Sequence, residues 1–274
     1  MTTPLPAALR AFMERVAHAP STLALDYDGT LAPFQMCREA VTPPPEVLTT
    51  LRRIASEPST HLVVVSGRPV AELAALLRVE PRPELWGAHG WEHLDPHVAT
   101  TTAHATSAKA THALDGAERV LRNVLPAARV ERKVASIAVH WRGLDRTTAR
   151  ETEHLARSTF DQVLRDDIEG RTGLELRTFD GGLELRAQGH DKGEVIRTLL
   201  ARSPGTPLLY AGDDDTDEDA FIALQGVEHG LGVRVGVQRS TSATLTLDAH
   251  ALPELLVAWL AATRRAVTPP HASA

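Results

Sequence analysis

Apolar runs of strand length alternate with helical patterns along most of the chain. The runs in LALD, HLVVV and LLYAG each end abruptly at polar residues or glycine, as buried parallel strands do. Helical spacing appears over residues 5–18, 46–55, 70–77 and 253–262, and proline is tolerated in the first turn of the second of these helices. This alternation predicts an α/β fold with a doubly wound, Rossmann-like parallel sheet.

The pattern changes from about residue 100 and resumes after Gly189. The changed part predicts a long helix ending at Leu125, an alternating strand over 130–141, a charged helix over 146–168, and two short strands around Leu174 and Leu183. We expect residues 1–100 and 188–262 to form the core, residues 101–187 to form an inserted smaller α/β cap, and residues 263–274 to be disordered.

Composition narrows the class of protein. A net charge of -6 and a pI of 6.1 argue against a nucleic-acid surface, which needs clustered positive charge. The single cysteine, Cys37, cannot form an internal disulfide, as is usual in a reducing cytosol. Arg10 and Glu14 stand where a signal peptide needs an apolar core, and no long apolar run occurs. We expect a cytoplasmic monomer that binds neither nucleic acid nor membrane.

Two carboxylates, Asp26 and Asp28, follow the first apolar run and precede Gly29. The carboxyl end of a parallel strand is where open α/β sheets place ligands. Such a pair can divide two tasks, because one carboxylate attacks phosphorus while the other gives and later takes a proton. The alternative is a turn rich in aspartate, which needs no function.

Ser66 and Gly67 follow the second run, ahead of the helix that begins near Val70. The start of a helix offers free N–H groups and a positive dipole end to a phosphate, and Ser66 adds a hydroxyl donor. Alternatively, Ser66 caps the helix.

The third run leads into GDDDTDEDAF, which concentrates like charge. Six carboxylates lie within seven residues: Asp213, Asp214, Asp215, Asp217, Glu218 and Asp219. Oxygen ligands of this kind suit Mg²⁺, which also bridges to phosphate. The segment lacks the central glycine of an EF-hand calcium loop. A solvated acidic turn is the alternative.

Lysine is rare in this chain, which has three lysines against 26 arginines. Lys192 precedes a helical pattern in GHDKGEVI, where a compact charge suits a phosphoryl group crowded by carboxylates. The alternative is a solvated lysine at the start of a helix.

These four segments, in this order, resemble the four motifs of the haloacid-dehalogenase-like phosphatase superfamily. Further strings are similar to the trehalose-6-phosphate phosphatases over most of residues 20–262. They are GAHGWE, ERKVASIAVHWR, LELR, GDDDTDEDAF, GVRVG and TSATLTL.

The resemblance implies a hydrolase core and a role for each matching residue. Asp26 is the expected nucleophile, Asp28 the general acid and then base, and Ser66 and Lys192 the groups that hold the phosphoryl oxygens. The expected Mg²⁺ ligands are Asp26, the Asp28 carbonyl, Asp213 and Asp214. Asp217 is expected to support these ligands without binding the metal itself. The expected substrate contacts are Gly67, Arg68, His89, Glu131, Lys133, Arg142 and Glu184.

Alternation over 130–141 places Glu131, Lys133 and Ala135 on one strand face. Acidic and basic side chains on one face suit sugar hydroxyls, which need both acceptors and donors. A salt-bridged strand facing solvent would show the same pattern. The resemblance favours the sugar, and we expect His140 to orient the strand. His89, His93 and His97 recur every four residues, but Gly87, Gly90 and Pro96 argue against a helical zinc site there.

The sequence therefore predicts a Mg²⁺-dependent phosphatase that hydrolyses trehalose 6-phosphate through an aspartyl-phosphate. One alternative is another capped phosphatase, for sucrose, glucosyl or mannosyl phosphates. A catalytically silent regulatory subunit is the other alternative.

Overall fold

The structure is a computed structural model that describes residues 5–33, 41–167, 170, 172–179, 181–237 and 239–266. Cys37, Ile168 and residues 267–274 lie outside the described residues. The chain divides into two compact units, Met1–Thr101 with Asp191–Ala274, and Thr102–His190. Among the described residues, no helix is both long enough and apolar enough to cross a bilayer.

Twelve strands and eight α-helices make up the described part of the chain. The strands are β1 Ser21–Asp26, β2 Thr60–Val65, β3 Glu84–Gly87, β4 Glu92–Leu94, β5 Thr102–Ala103, β6 Val130–Arg132, β7 Ser136–His140, β8 Leu174–Phe179, β9 Gly182–Ala187, β10 Leu208–Gly212, β11 Gly230–Val235 and β12 Leu245–Leu247. The α-helices are α1 Ala7–Val16, α2 Pro45–Ala55, α3 Val70–Leu77, α4 Ala108–Val124, α5 Arg146–Asp166, α6 Lys192–Arg202, α7 Glu218–Leu224 and α8 Leu252–Ala266.

The sheet of the first unit runs in the order β12-β11-β10-β1-β2-β3-β4. All pairs are parallel except β3 with β4. All six residues of β1 are buried, as expected for an internal parallel strand with the apolar centre Leu23 to Leu25. Crossovers through helices let the chain return to the same edge of the sheet after each strand.

Alternate residues of the central strands belong to two separate hydrophobic cores. Leu23 and Leu25 pack with α1, α2, α3 and α8 in one core, whereas Ala24 packs with α6 and α7 in the other. Because side chains alternate along a strand, these cores lie on opposite faces of the sheet. The fold is therefore doubly wound, as the sequence predicts.

The second unit contains a four-stranded antiparallel sheet in the order β6-β7-β9-β8. Helices α4 and α5 contact each other and the strands of this sheet. Their N-termini are capped by Ser107, which accepts from the Ala110 N–H, and by Asp145, which accepts from Thr147 and Thr148.

Two sequence predictions are wrong in detail. The alternating segment 130–141 is not one strand, because the chain reverses between β6 and β7 and Lys133 follows the end of β6. Helix α8 continues to Ala266, and Thr263 within it is fully buried, so residues 263–266 are ordered helix rather than a disordered tail. Apolar burial against the first core extends this helix beyond its predicted end.

Candidate active site

Three neighbouring parallel strands present polar residues at one edge of the sheet. β1 ends at Asp26, β2 is followed by Ser66, and β10 is followed by Asp213. Asp26 pairs in register with Val65, so Ser66 lies one position further along the neighbouring strand. The strand topology thus gathers these three side chains from distant parts of the sequence.

Lys192 is the first residue of α6 and reaches back to two carboxylates. Asp191 caps the helix by accepting from the Glu194 N–H at 2.7 Å. The Lys192 Nζ donates to Asp26 Oδ1 at 2.6 Å and to Asp217 Oδ1 at 2.7 Å, and its side chain is 3% exposed. A solvated helix-start lysine, the alternative that the sequence leaves open, is therefore wrong.

The charges of this cluster influence one another strongly. Burial raises the pKa of Asp26 well above its ordinary value, with Lys192 opposing and Asp217 and Asp213 reinforcing the rise. Burial alone would lower the pKa of Lys192, but Asp217 and Asp26 hold that pKa well above its usual range. Lys192 thus carries its positive charge among these carboxylates.

The Asp217 carboxylate is the hydrogen-bond acceptor that holds the acidic loop together. It is fully buried and accepts four hydrogen bonds. The donors are Lys192 Nζ at 2.7 Å, the Tyr210 hydroxyl, and the backbone N–H groups of Asp213 and Asp214, both at 2.9 Å. A Cβ on Gly212 would lie 2.2 Å from Asp217 Cγ, so a glycine is needed at this position. Sequence reasoning missed Tyr210, which reads there as an ordinary core residue of β10.

Three carboxylates of the described residues are close enough to share one cation. An oxygen from each of Asp26, Asp213 and Asp217 lies within 4.8 Å of the others. Burial raises the pKa of Asp213 to about 7, and Asp217 and Asp214 add to the rise. Because Asp217 already accepts four hydrogen bonds, Asp26 and Asp213 are the better ligands. Burial disfavours the ionised form of both carboxylates, and a bound divalent cation would offset that cost because such cations prefer oxygen ligands.

Asp214, an expected metal ligand, also caps a short helical turn. Its Oδ1 accepts from the Thr216 N–H at 2.8 Å and from the Thr216 hydroxyl at 2.7 Å, which caps the short helical turn Asp215–Asp217. Asp213 Oδ1 instead accepts a hydrogen bond from Thr30 at 3.0 Å, and Thr30 had no role in the sequence prediction.

Asp28 is held by Arg68. Arg68 Nη2 lies 2.6 Å from Asp28 Oδ1 and Arg68 Nε lies 2.7 Å from Asp28 Oδ2. Arg68 also donates through Nη1 to Glu72, one turn into α3. Arg68 was expected to contact substrate, but the structure directs its guanidinium at these two carboxylates.

Ser66 and Gly67 form the loop that leads to α3. Ser66 Oγ accepts from the Arg68 N–H at 3.1 Å and can still donate its own proton. The first residue of α3, Val70, donates its N–H to Glu92 at 2.6 Å, so Ser66 does not cap the helix. The His89 ring covers Gly67 so closely that a Cβ there would lie 2.6 Å from the imidazole.

Arg234, which is buried, and Glu218, which is half-buried, form an ion pair beside the acidic loop. Arg234 donates to Glu218 at 2.9 Å and to the Asp213 carbonyl. Glu218 also accepts from the Thr241 hydroxyl at 2.6 Å and from the Ser242 N–H at 2.7 Å. The strings GVRVG and TSATLTL thus meet GDDDTDEDAF in one network. The sequence shows these strings and counts Glu218 among the acidic residues, but it does not predict the pairing of Glu218 with Arg234.

In the second unit, the structure brings together two of the expected substrate residues. Lys133 Nζ donates to Glu184 Oε1 at 3.0 Å, and both side chains are largely buried. Glu131 lies on the same row of the sheet as Glu184, because both pair with Ala138, and it bonds His140 at 2.9 Å. Arg142 follows the end of β7, and its N–H donates to Gly181.

The three histidines spaced by four residues do not share a face. His89 lies in the turn Ala88–Gly90 with a positive φ of 57°, and His93 lies on β4. The His93 ring stacks on Trp86 and its Nε2 bonds Glu84 at 2.8 Å. His97, which follows β4, donates its backbone N–H to Asp95.

The sequence and the fold are similar to those of known proteins. The trehalose-phosphatase family model matches residues 24–251. The trehalose-phosphate phosphatase of Mycobacterium marinum is 30% identical over 239 residues, which cover 82% of this chain and 57% of the relative. The chain thus spans less than two thirds of that relative's length.

Two solved structures from Candida albicans share the fold. The C-terminal domain of trehalose-6-phosphate phosphatase matches with a TM-score of 0.79 at 22% identity, covering 95% of this chain and 99% of that one. The C-terminal domain of the trehalose synthase regulatory protein matches with a TM-score of 0.69 at 13% identity, covering 94% and 100%. At these identities the likeness concerns the fold alone, and it confirms the predicted fold class.

Proposed function

Because this chain belongs to the trehalose-phosphatase family, we propose that it hydrolyses trehalose 6-phosphate to trehalose and inorganic phosphate. The observation that carries the proposal is the Asp26 carboxylate at the end of β1, bound by Lys192 at 2.6 Å and grouped with Asp213. A carboxylate, a fixed cation and a cation-binding carboxylate at one strand edge suit phosphoryl transfer.

In the first step, an Asp26 carboxylate oxygen attacks phosphorus and forms an aspartyl-phosphate. The bond between phosphorus and the sugar oxygen breaks, and Asp28 donates a proton to that oxygen so that trehalose leaves as a neutral alcohol. Lys192 and the Ser66 hydroxyl hold the phosphoryl oxygens and oppose their developing charge.

In the second step, water attacks the phosphorus of the aspartyl-phosphate. Asp28, now ionised, accepts the proton of this water, and the bond to Asp26 breaks. Phosphate leaves, and both carboxylates return to their starting states. The Gly67 N–H, in the loop between β2 and α3, is the proposed backbone donor to a phosphoryl oxygen in both steps.

The proposed cofactor is Mg²⁺, held by Asp26, the Asp28 carbonyl and Asp213. When bound, it neutralises phosphoryl oxygens and relieves the repulsion among the buried carboxylates. The raised pKa values of Asp26 and Asp213 support this choice of ligands. Thr30 and Arg234 hold the Asp213 side chain and carbonyl, respectively.

We further propose that the first unit is the hydrolase core and that the second unit acts as a cap that recognises the sugar. Glu131, Lys133 and Glu184 offer both acceptors and a donor, which sugar hydroxyls require. Arg142 and His89 are the remaining proposed sugar contacts.

The test is phosphate release from trehalose 6-phosphate compared with glucose 6-phosphate and sucrose 6-phosphate, with and without Mg²⁺. We expect kcat/KM to be at least tenfold higher for trehalose 6-phosphate. A preference for another sugar phosphate would identify a different capped phosphatase. No turnover of any ester by folded protein would instead indicate a regulatory subunit.

A further inference from the structure

We infer that Arg68 is a positioning residue that fixes the orientation of Asp28 for proton transfer. The inference rests on the proposed function, which gives Asp28 the roles of general acid and base. Its basis is the pair of hydrogen bonds, 2.6 and 2.7 Å long, that join both carboxylate oxygens of Asp28 to one guanidinium group.

Arg68 is itself immobilised from several directions. The residue is 2% exposed, and its guanidinium carbon lies 5.7 Å from the centre of the Tyr27 ring. Its Nη1 donates to Glu72. Its backbone carbonyl accepts from the Ala88 N–H at 2.8 Å, and its N–H donates to Ser66 Oγ. The arginine is therefore a rigid part of the β2–α3 loop, which also carries the phosphate-binding serine.

Asp28 needs such support because its own surroundings are open. Its side chain is 31% exposed and lies beyond the end of β1, where only the backbone of Asp28 is held, by a bridge to Ala32. An unsupported carboxylate there would populate several rotamers, and a small displacement of a proton donor reduces catalysis strongly. Two parallel hydrogen bonds fix the plane of the carboxylate as well as its position.

The pair still permits proton transfer at Asp28. Each carboxyl oxygen has two acceptor positions, so while one position accepts from Arg68, the other can carry the proton that goes to the sugar oxygen and is later taken back from water. Lysine could not replace the arginine here, because an ammonium group provides a single point of contact. A direct contact between Arg68 and substrate is less favoured, because Nε, Nη1 and Nη2 all donate to Asp28 or Glu72.

The test is a double-mutant cycle with Arg68→Gln and Asp28→Asn, measured on trehalose 6-phosphate. For Arg68→Gln in the wild-type background, we expect kcat to fall about 100-fold while KM changes less than threefold. In the Asp28→Asn background, the same substitution should lower kcat by less than threefold, because residues that act as a unit are not additive.

Two further variants separate positioning from folding. Arg68→Lys keeps the positive charge, and we expect kcat to fall roughly tenfold with an unchanged melting temperature. Arg264→Gln breaks the exposed ion pair with Glu57 and should leave kcat unchanged. Wild-type kcat in Arg68→Lys would overturn the inference.

The inference would also be overturned if Arg68→Gln lowered kcat equally in both backgrounds, or raised KM alone. In those cases Arg68 acts independently of Asp28, and the proposed function stands. If Asp28→Asn kept activity within tenfold of the wild type, the proton-transfer role of Asp28 would fail, and the inference would fail with it.

Discussion

The Lys192 ammonium group lies 2.7 Å from the Asp217 carboxylate, and both side chains are almost fully buried. Breaking a buried ion pair by removing one partner costs more than the pair contributes, because the remaining charge has lost its water. Asp217 therefore holds Lys192, the cation that bonds Asp26. The sequence predicts a supporting role for Asp217 but not this contact with Lys192.

Replacing Asp217 with asparagine should destabilise the protein. The amide NH₂ of Asp217→Asn would face two of the four donors that now bond the carboxylate. We expect a loss of about 3 kcal/mol in the free energy of unfolding, measured by denaturant titration. Asp215→Asn, an exposed residue of the same loop, is the control and should be neutral. Equal stability of the two variants would contradict the supporting role.

Replacing Asp26 with asparagine should abolish turnover without unfolding the protein. Asp26→Asn keeps the shape of the side chain but removes the attacking charge, so phosphate release should fall by several orders of magnitude. Circular dichroism checks that the variant is folded. Release within tenfold of the wild-type rate would show that another group attacks phosphorus.

Replacing Asp213 with alanine should weaken the binding of metal. Asp213→Ala removes a charged ligand, so the Mg²⁺ concentration for half-maximal activity should rise at least about tenfold. Calorimetric titration of Mg²⁺ into the protein measures the same change without turnover. Asp215→Asn again serves as the control from the same loop. Overlapping titrations for Asp213→Ala and wild type would assign the metal to other ligands.

Replacing Lys133 with alanine should separate sugar recognition from chemistry. We expect kcat/KM for trehalose 6-phosphate to fall at least about tenfold, because remote binding energy helps to orient the reacting centre. Hydrolysis of p-nitrophenyl phosphate, which carries no sugar, should change less than twofold. Lys109→Ala, which alters an exposed lysine of the same unit, is the matched control. Equal losses on both substrates would mean that Lys133 supports the fold.

Glu84 should make stability depend on pH in the acid range. Burial opposes ionisation of Glu84, but hydrogen bonds from His61 and His93 and the charge of Arg202 outweigh it and lower the pKa far below its ordinary value of 4.5. The ionised carboxylate therefore stabilises the fold above pH 4.5, and this stabilisation disappears as the pH falls toward the folded-state pKa.

The variant that tests this dependence is Glu84→Gln. At pH 7 it should be about 2 kcal/mol less stable than the wild type, and the difference should shrink steadily below pH 4.5. Thermal unfolding of both proteins between pH 3 and pH 7 measures the difference. A difference that stays constant over this range would show that the Glu84 charge contributes nothing.

Short-range patterns were sufficient to predict the strand that ends at Asp26 and the helix that follows Ser66. Leu23 to Leu25 indicate a buried strand, and the strand ends at Asp26 because glycine and aspartate follow. Helix α3 begins at Val70 and ends at Leu77, where its spacing predicts. These features depend on local periodicity and on turn residues, which a single sequence displays directly.

Contacts between distant segments could not be predicted in this way. The prediction of one strand over 130–141 was wrong. The chain reverses after β6, near Lys133, and the alternation of side chains continues on both sides of the reversal, so the pattern does not reveal it. Arg234 on β11 bonds Glu218, a carboxylate of another segment. Tyr210 bonds Asp217 only seven residues away, but the fold of the acidic loop brings them together, and strand periodicity does not show this. The roles of the site residues, the core and cap roles of the two units, the monomeric state and the cytoplasmic location remain predictions.

The scarcity of lysine has a practical consequence for labelling. The side chains of Lys133 and Lys192 are 7% and 3% exposed and are bound to carboxylates, whereas Lys109 is exposed on α4. Amine-reactive dyes and cross-linkers attack accessible, neutral amines, so Lys109 is the lysine that such reagents should modify in the folded protein. Once the N-terminal amine, which such reagents also attack, is blocked, a fluorophore can be attached to the second unit without mutagenesis.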